Sequence, residues 1–538
     1  MDNTVVQLKT KRKPARRGRR STPKEVTELK GESPIDLTPL EPVPAVAGSD
    51  LKGIVADARL AQRLWGQNSL AHRLRLLRKA AKRMLEDRTT AIELMGREIG
   101  KLEVDALMSE VLGPLDQVNQ WGRVIEKALG RRQVWLNPVS FPKKKAYYDR
   151  VPRGVVGIIA PWNYPIANYF RSVFPALLTG NGVVLKPSEY SPRTAQWFVS
   201  HLQAVLPEFL IQVVPGNGAV GAALLDAGID ACVFTGSHGS GTKVQVRCAE
   251  LGIPVSAEMG GKDAAIVLED CDLDRTTMGI THWALHNVGQ ACGAIEVVYV
   301  DKRIANLFID RMRRAFEKLT LGPGPHGRVD ISPLAHREQL KVVEHHVADA
   351  RSKGATVVCG GHATGHGLWF QPTLLDNCTA DMLAVSEETF GPVLAVVRID
   401  GATQAIDQIN QSHYGLGVSL WTQNTIRAER LAERIDAGVI TINNHALTGA
   451  MPQLPWSGVR QTGHSVASSE LSLGIFTRPK TVLSDSNRAP ELFWLPYDRD
   501  LWELGHHLAD AQLGKLKNAW KLPILIQKRL KTIRRFFR

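Results

Sequence analysis

From Tyr147 to Leu268 short, wholly apolar runs alternate with longer segments of helical period, and this constrains the fold more than any other feature of the chain. Tyr147–Pro161 reads as a strand, a turn and a buried strand. Gly182–Lys186, Ile211–Val214, Ala231–Phe234, Val255–Glu258 and Ala264–Leu268 read as further strands, with helices up to Leu206 and over Gly239–Leu251. Strands apolar on both faces imply a mostly parallel sheet covered by helices, with ligands at the carboxyl ends of the strands. A second alternating block runs from Val297 to Asn444. Its strands fall near Val297–Val300, Thr356–Val358, Leu394–Arg398 and Val439–Ile442, and its helices at Ile304–Leu319 and Glu338–Lys353. The class is α/β, and two such regions with a cleft between them suit 538 residues.

Outside these blocks the pattern changes. Residues 1–48 are basic, then rich in Pro and Glu, and are expected to be disordered. Ile54–Gly122 carries two or three amphipathic helices, with Leu60, Leu64, Leu70, Leu74, Leu77, Ala81 and Met84 expected on their inner faces. The formal charge is +14, clustered at the two ends, and points to solvated tails or an anionic partner. Six cysteines are scattered without metal-ligand spacing, so neither disulfides nor a metal site is expected. No apolar run is long enough to span a bilayer, and no secretory leader is evident. A soluble, cytoplasmic location is the expectation.

The residue types that carry chemistry fall mostly at strand ends. Cys292 lies among small residues after a helix read over Asp272–Leu285, where a substrate carbon can approach the sulfur. Alone, it reads more readily as a small buried apolar residue than as a reacting group. Thr235-Gly-Ser-His-Gly-Ser-Gly-Thr opens a helix after a strand and offers free N–H groups to a pyrophosphate, although an ordinary connection looks the same. Lys186 and Glu189 stand where a ribose diol would be bracketed, and the acid favours NAD over NADP. Asn163, in a proline-bracketed turn, suits an oxyanion. Glu258, before two glycines, suits a general base. Glu388 and Phe390 offer one more acid and an aromatic ring.

Six motifs in this order resemble the aldehyde dehydrogenase superfamily: Pro161-Trp-Asn-Tyr-Pro, Lys186-Pro-Ser-Glu, Phe234-Thr-Gly-Ser, Glu258-Met-Gly-Gly-Lys, Gly289-Gln-Ala-Cys and Glu387-Glu-Thr-Phe-Gly-Pro-Val. The resemblance covers Ile54 to Val482 and is closest to the hydrolytic, non-acylating type. It implies two α/β domains with a small β oligomerisation flap: residues 49–131 and 153–259 for cofactor, 260–469 for catalysis, and 132–152 with 470–483 as oligomerisation strands. Residues 484–538 are then an extension. By the same resemblance Cys292 is the nucleophile, forming a thiohemiacetal and then a thioester. Asn163 and the Cys292 N–H hold the oxyanion, and Glu258 activates water. Trp162, Lys186, Glu189, Ser237, Glu388 and Phe390 contact NAD, with NADP as the alternative. Three departures bear on loop packing: Trp456-Ser-Gly-Val-Arg460 for the usual Gly-Gly-Lys segment, Gly463-His-Ser-Val for a Gly-Arg-Glu run, and Val297 for an arginine.

Arg171 sits where relatives acting on succinate semialdehyde carry a carboxylate-binding arginine, although a helix-surface ion pair explains it as well. An apolar or aromatic aldehyde is the preferred substrate, with succinate semialdehyde as the alternative. The rival class is a catalytically silent scaffold binding membrane or nucleic acid; retention of Cys292, Glu258 and Asn163 together argues against it, and nucleic acid is not an expected partner. Lys143–Val151 and Leu473–Val482 are the expected contacts of a homodimer or homotetramer. Leu492–Asp498 reads as an apolar strap over another surface. After a helix over Leu508–Trp520, Ile526, Leu530, Ile533 and Phe537 form an apolar stripe flanked by Lys and Arg, Arg529 among them. A reversible contact with an anionic membrane surface is one reading of that helix, and packing on its own subunit the other.

Overall fold

The structure is a computed structural model that describes residues 25–138, 140–323 and 328–537. The segment 25–48, expected to be disordered, is ordered; the rest of that expectation, residues 1–24, lies outside the described residues. Glu28–Leu29 (β1) pairs antiparallel with Val43–Pro44 (β2), burying Leu29 and Val43. Leu368 N–H donates to the Pro34 carbonyl at 2.8 Å, and the Trp369 indole to that of Ile35 at 2.9 Å. A Pro-rich stretch loses less entropy on ordering than composition alone suggests, and these bonds offset it.

Leu51–Trp65 (α1), Leu70–Glu86 (α2) and Arg88–Ile99 (α3) follow, and a π-helical turn, Ala106–Leu112, leads into Gly113–Leu129 (α4). Leu60 and Leu64 were expected to face inward but are 62% and 69% exposed. The buried line of α1 is Leu51, Val55, Ala58, Gln62 and Trp65. It contains a polar residue because the Gln62 amide donates to the Gly180 carbonyl at 2.9 Å, while the Trp65 indole reaches that of Leu177.

After Arg132–Val134 (β3) and Lys144–Pro152 (β4), the first large sheet begins. Its elements are Val155–Ile159 (β5), Pro165–Leu178 (α5), Gly182–Lys186 (β6), Pro192–Gln203 (α6), Ile211–Val213 (β7), Gly218–Leu225 (α7), Ala231–Thr235 (β8), His238–Leu251 (α8) and Val255–Glu258 (β9). All five strands are parallel, in the order β7-β6-β5-β8-β9. The chain winds outward from β5 to β7 and returns to β8 on the other side of β5. The carboxyl ends of β5 and β8 therefore flank a topological switch point, where α/β sheets open a crevice.

The second sheet collects Asp263–Val267 (β10), Ile295–Asp301 (β11), Thr356–Cys359 (β12), Thr373–Asp376 (β13), Val393–Ile399 (β14), Gly417–Trp421 (β15) and Val439–Ile442 (β16). Their order is β12-β13-β14-β11-β10-β15-β16, parallel except for β12 against β13. Leu273–Leu285 (α9), Ala305–Lys318 (α10) and Arg337–Ser352 (α11) belong to this block. β13 and β15 were not foreseen. β15 reads Gly-Val-Ser-Leu-Trp, too short and too small-residue-rich for the pattern, and Ser419 is tolerated in its buried centre because it accepts from the Trp421 indole at 3.0 Å.

Contacts divide the chain into two units: residues up to Leu129 with Val151–Arg478, and Gly130–Arg150 with Pro479–Arg538. Both large sheets belong to the first. Thr477–Asp485 (β17) forms a three-stranded sheet in the order β17-β4-β3. Leu473–Phe476, expected as strand, is a helical turn.

In the second unit Arg499–Gln512 (α12) ends at Gly514 in a left-handed conformation, and Leu522–Phe536 (α13) packs against it. The helix expected over Leu508–Trp520 thus starts earlier and breaks. The expected apolar stripe is also displaced: Leu525, Arg529 and Ile533 are buried, while Phe537 is 69% exposed. Arg529, placed on the flank by its charge, is fully buried; it donates to Asp498 at 2.9 Å, to the Leu492 carbonyl at 2.8 Å and to that of Trp494. That leaves the side chains of the strap outward, with Phe493, Trp494, Leu495 and Tyr497 exposed rather than covering a surface. Arg529→Ala is expected to cost about 2–3 kcal/mol locally, the charge-assisted bonds being partly screened. Limited chymotrypsin digestion should then cleave between Trp494 and Trp520 faster than in the parent, and an unchanged rate would remove Arg529 as the pin.

Candidate active site

Asp272 caps α9 by accepting from Arg275 N–H at 3.1 Å, and the helix ends at Leu285. Beyond it Asn287 and Val288 both have φ +53° and Gly289 has φ +74°. Left-handed backbone is costly for a β-branched residue and persists only when surrounding bonds impose it. The Asn287 amide donates to the Asn163 carbonyl at 3.0 Å and to that of Gln290 at 3.2 Å, and Gln290 Oε1 accepts from Ala335 N–H at 2.9 Å. The turn so fixed presents Cys292 to a cavity of about 580 Å³.

Trp162, Asn163, Arg171, Ser237, Glu258, Cys292, Glu388 and Phe390 all line that cavity. Five segments and one helix bring them together: the loops after β5 and β8, the end of β9, the turn before β11, the segment before β14, and α5. Lys186 and Glu189 lie outside the lining, at the end of β6. Lys186 is buried, donates to the Pro187 carbonyl at 2.8 Å and stands 3.7 Å from the Glu189 carboxylate. Asn163 is buried, and its amide donates to the Gln290 carbonyl at 3.0 Å, beside the Cys292 turn.

Burial sets the charge states. It pushes the Cys292 thiol up to about 12, helped by the Glu258 carboxylate and opposed by the Arg171 guanidinium. Glu258 is raised by burial and pulled back by Arg171, whose Nη1 lies 3.8 Å from Glu258 Oε2. Glu258 Oε1 is buried without a hydrogen-bond partner. Arg171 also donates to the Gly449 carbonyl at 2.8 Å and lies 5.6 Å from the Trp456 ring, so its ion pair faces the cavity rather than a helix surface. Glu388 is raised to about 8, first by burial and then by Glu296.

The two glycines after Glu258 are required by close approach. A Cβ on Gly260 would collide with the Glu388 carboxylate, and one on Gly261 would lie 2.5 Å from the Cys292 carbonyl. Gly261 N–H donates to Glu388 at 3.0 Å. On the other side of the cavity Ser237 precedes α8 and makes no side-chain cap bond, leaving the first-turn N–H groups toward the crevice. Trp162 meets Phe390 at 5.6 Å and His336 at 5.0 Å, edge to face. A helix N-terminus, an aromatic wall and a carboxylate at Glu388 fit a dinucleotide, with Lys186 and Glu189 beyond.

Two arrangements were not read from the sequence. Lys262 and Glu296 form an ion pair with both side chains nearly inaccessible, and Glu296 also accepts from Thr389 and Phe390 N–H at 2.8 Å each. This pair fixes the segment carrying Glu388 and Phe390. Its only sequence signal is Lys262 closing the Glu-Met-Gly-Gly-Lys motif. Tyr164, His286 and Asp105 form a chain, 2.7 Å from the Tyr164 hydroxyl to His286 Nδ1 and 2.6 Å from Nε2 to Asp105. Burial would raise Asp105, but the His286 bond and the Lys101 charge hold it down to about 2. Nothing in local pattern links residues so far apart.

The three departures are accommodated. Arg460 donates to the Asn410, Tyr414 and Asp436 carbonyls and to the Asp436 carboxylate. Ser465 accepts from Ala257 N–H at 2.5 Å. Val297 is a buried residue of β11.

A thiol, a carboxylate and an amide line one cavity, which opens beside the carboxyl ends of a parallel sheet. The profile of the Aldehyde dehydrogenase family matches residues 22–482, and the chain belongs to that family as an NAD(P)-dependent aldehyde oxidoreductase. It is 33% identical over 480 residues to a 4,4'-diapolycopene aldehyde oxidase of Methylomonas sp, covering 89% of this chain and 90% of that one. It is 33% identical over 448 residues to a Mycobacterium ulcerans protein named provisionally as a succinate-semialdehyde dehydrogenase using NADP(+), covering 82% and 86%. Among solved structures, the NAD+ complex of an aldehyde dehydrogenase from Bacillus cereus superposes with a TM-score of 0.82 at 28% identity, covering 86% of this chain and 94% of that one. A Mycobacterium tuberculosis aldehyde dehydrogenase complexed with NAD+ gives 0.81 at 29%, covering 86% and 96%.

Lys262→Met strands the Glu296 carboxylate in the interior. It is expected to destabilise the fold by about 3–5 kcal/mol, as breaking a buried pair does, read as a lower urea midpoint. A midpoint within error of the parent would show that the pair is not what holds the Thr389–Phe390 segment.

Proposed function

We propose that the chain oxidises an apolar aldehyde to its carboxylate through a Cys292 thioester, using water and NAD+ in preference to NADP+. The observation that carries the reading is the joint opening of Cys292, Glu258 and Asn163 onto one cavity. Glu258 takes the thiol proton and the sulfur attacks the aldehyde carbon. The Asn163 amide and the Cys292 N–H hold the resulting oxyanion. The bound nicotinamide supplies the hydride acceptor. Glu258 gives the thiol proton up to solvent and then takes one from water, the hydroxide attacks the thioester, and the carboxylate leaves as the Cys292 thiolate is released. The preference for NAD+ rests on Glu189, whose charge disfavours a 2′-phosphate.

The substrate preference rests on what surrounds Arg171. A substrate carboxylate reading that guanidinium would sit beside Glu258, also an acid, and Gly449 already takes one N–H. Succinate semialdehyde stays the second reading because Arg171 does line the cavity and a provisionally named relative carries that activity in its name.

The test is NAD(P)H formation from hexanal, benzaldehyde and succinate semialdehyde with each cofactor. Cys292→Ser should abolish turnover. Glu258→Gln should slow both the stoichiometric burst and steady turnover, the latter by about 10²–10⁴-fold. Because the Glu258 carboxyl is raised above the ordinary range, turnover should climb with pH through its ionisation, and Arg171→Gln should move that limb further up. If Arg171 instead reads a carboxylate, the substitution raises KM for succinate semialdehyde alone. No burst and no turnover with any of the three would remove the enzymatic reading.

Assembly and attachment belong to the second unit. The homodimer or homotetramer proposed from the sequence is supported by the exposed edge strands β3 and β17. The outward face of α13, with Lys528, Lys531, Arg534 and Arg535 and the exposed Phe536 and Phe537, supports a reversible contact with an anionic bilayer. It differs from the contact expected from the apolar stripe, of which Ile533 is buried, Ile526 and Leu530 are half-buried and Phe537 alone is exposed. The full chain should co-sediment with phosphatidylglycerol-containing vesicles at low salt and be released at high salt. Reversing the four charges to Glu should abolish sedimentation, and undiminished binding would exclude this face.

A further inference from the structure

The cavity does not end at a polar surface. Met108, on the π-helical turn, lines it and is 59% exposed; Leu447 lines it from the facing segment and is 43% exposed. Val104 and Leu112 lie one turn to either side of Met108 and are 49% and 40% exposed. Single exposed apolar residues are ordinary, but a row of them whose middle member lines a cavity marks a recognition surface. A π-helical turn is itself uncommon outside functional sites.

The two walls of this mouth are tied to each other. The Gln117 amide of α4 donates to the Ala450 carbonyl at 2.9 Å, and Gln453 donates to Gln120 at 2.8 Å. Polar side chains further in are already bonded: the Trp283 indole to Asn444, His286 to Tyr164 and Asp105, and Arg171 to Gly449 and Glu258. A ligand running outward from Cys292 therefore meets apolar atoms at Met108 and Leu447, where a short or charged substrate has nothing to contact.

We infer that Met108 and Leu447 at the cavity mouth, with Val104 and Leu112 one turn to either side of Met108, form a distal subsite for the tail of a long-chain aliphatic aldehyde that extends beyond the cavity. The inference rests on the proposed aldehyde oxidation at Cys292. Met108 suits such a role, since an unbranched thioether adapts to tails of differing shape. A methylene fully withdrawn from water is worth roughly a fourfold gain, and one lying on an open rim roughly half of that factor. About three rim-contacting methylenes thus give roughly a tenfold gain in kcat/KM.

The experiment compares hexanal, dodecanal and hexadecanal with the full chain, and in parallel titrates hexanoate and hexadecanoate into Cys292→Ser by calorimetry. Expected are a rise of about tenfold in kcat/KM from hexanal to hexadecanal, carried by KM, and tighter binding of hexadecanoate than of hexanoate. In the double variant Met108→Gln with Leu447→Gln, the hexadecanal-to-hexanal ratio should fall about tenfold, with the protein's mass by light scattering unchanged. A flat chain-length series, equal affinity for the two acids or an unaltered ratio overturns the subsite while leaving hexanal oxidation intact. A change of mass in the variant also overturns it, by making the rim a contact between copies of the chain. Loss of all aldehyde turnover with hexadecanoate still bound tightly would instead sink the oxidation reading and keep the subsite.

Discussion

The bonds that Asn163 and Asn287 make across the turn before Cys292 are what the rest of the site depends on. Two non-glycine residues and a glycine in left-handed conformation cannot hold themselves, and each amide reaches a main-chain carbonyl of the neighbouring segment. The result joins the loop after β5 of the first sheet to the loop before β11 of the second. Both sheets thereby fix one sulfur atom. Precision of this kind rests on buried amide hydrogen bonds whose alternative, an unsatisfied polar group, is costly.

The Lys262–Glu296 pair does the same for the opposite wall. It is anchored on β11 and just before β10, both in the centre of the second sheet, and its carboxylate takes two successive main-chain N–H groups. An ion pair this deep contributes little net stability, so its value lies in fixing a unique position for Glu388 and Phe390. Gly260 and Gly261 then let that segment approach the Cys292 turn. Anchor and clearance are complementary, and neither is sufficient alone.

Much of this was legible because the site sits at strand ends, and strands announce themselves by apolar runs. Cys292, Glu258, Asn163 and Ser237 were each found beside a strand or helix boundary that the structure also has. What was not legible shares a different cause. Gln62 and Arg529 are buried polar residues, and a pattern that equates burial with apolar letters assigns them outward. β15 is a core strand written in small residues. The Tyr164–His286–Asp105 chain and the Lys262–Glu296 pair join residues far apart in sequence, and no local period encodes them. Ordered residues 25–48 were missed because their Pro and Glu content resembles a tail, while the bonds that order them lie with Leu368 and Trp369.

Holding the Cys292 thiol near 12 has a chemical consequence for the resting protein. At neutral pH the sulfur therefore rests as the thiol, with the thiolate a minor form. Peroxides and alkylating agents react with the thiolate, so the sulfur is shielded from sulfenic and higher oxidation while it waits. The same Arg171 guanidinium that tempers Glu258 opposes the rise of the thiol by favouring its ionised form. Under the proposed mechanism, durability and reactivity are set by one short stretch of electrostatics, and Cys292 stays intact between turnovers.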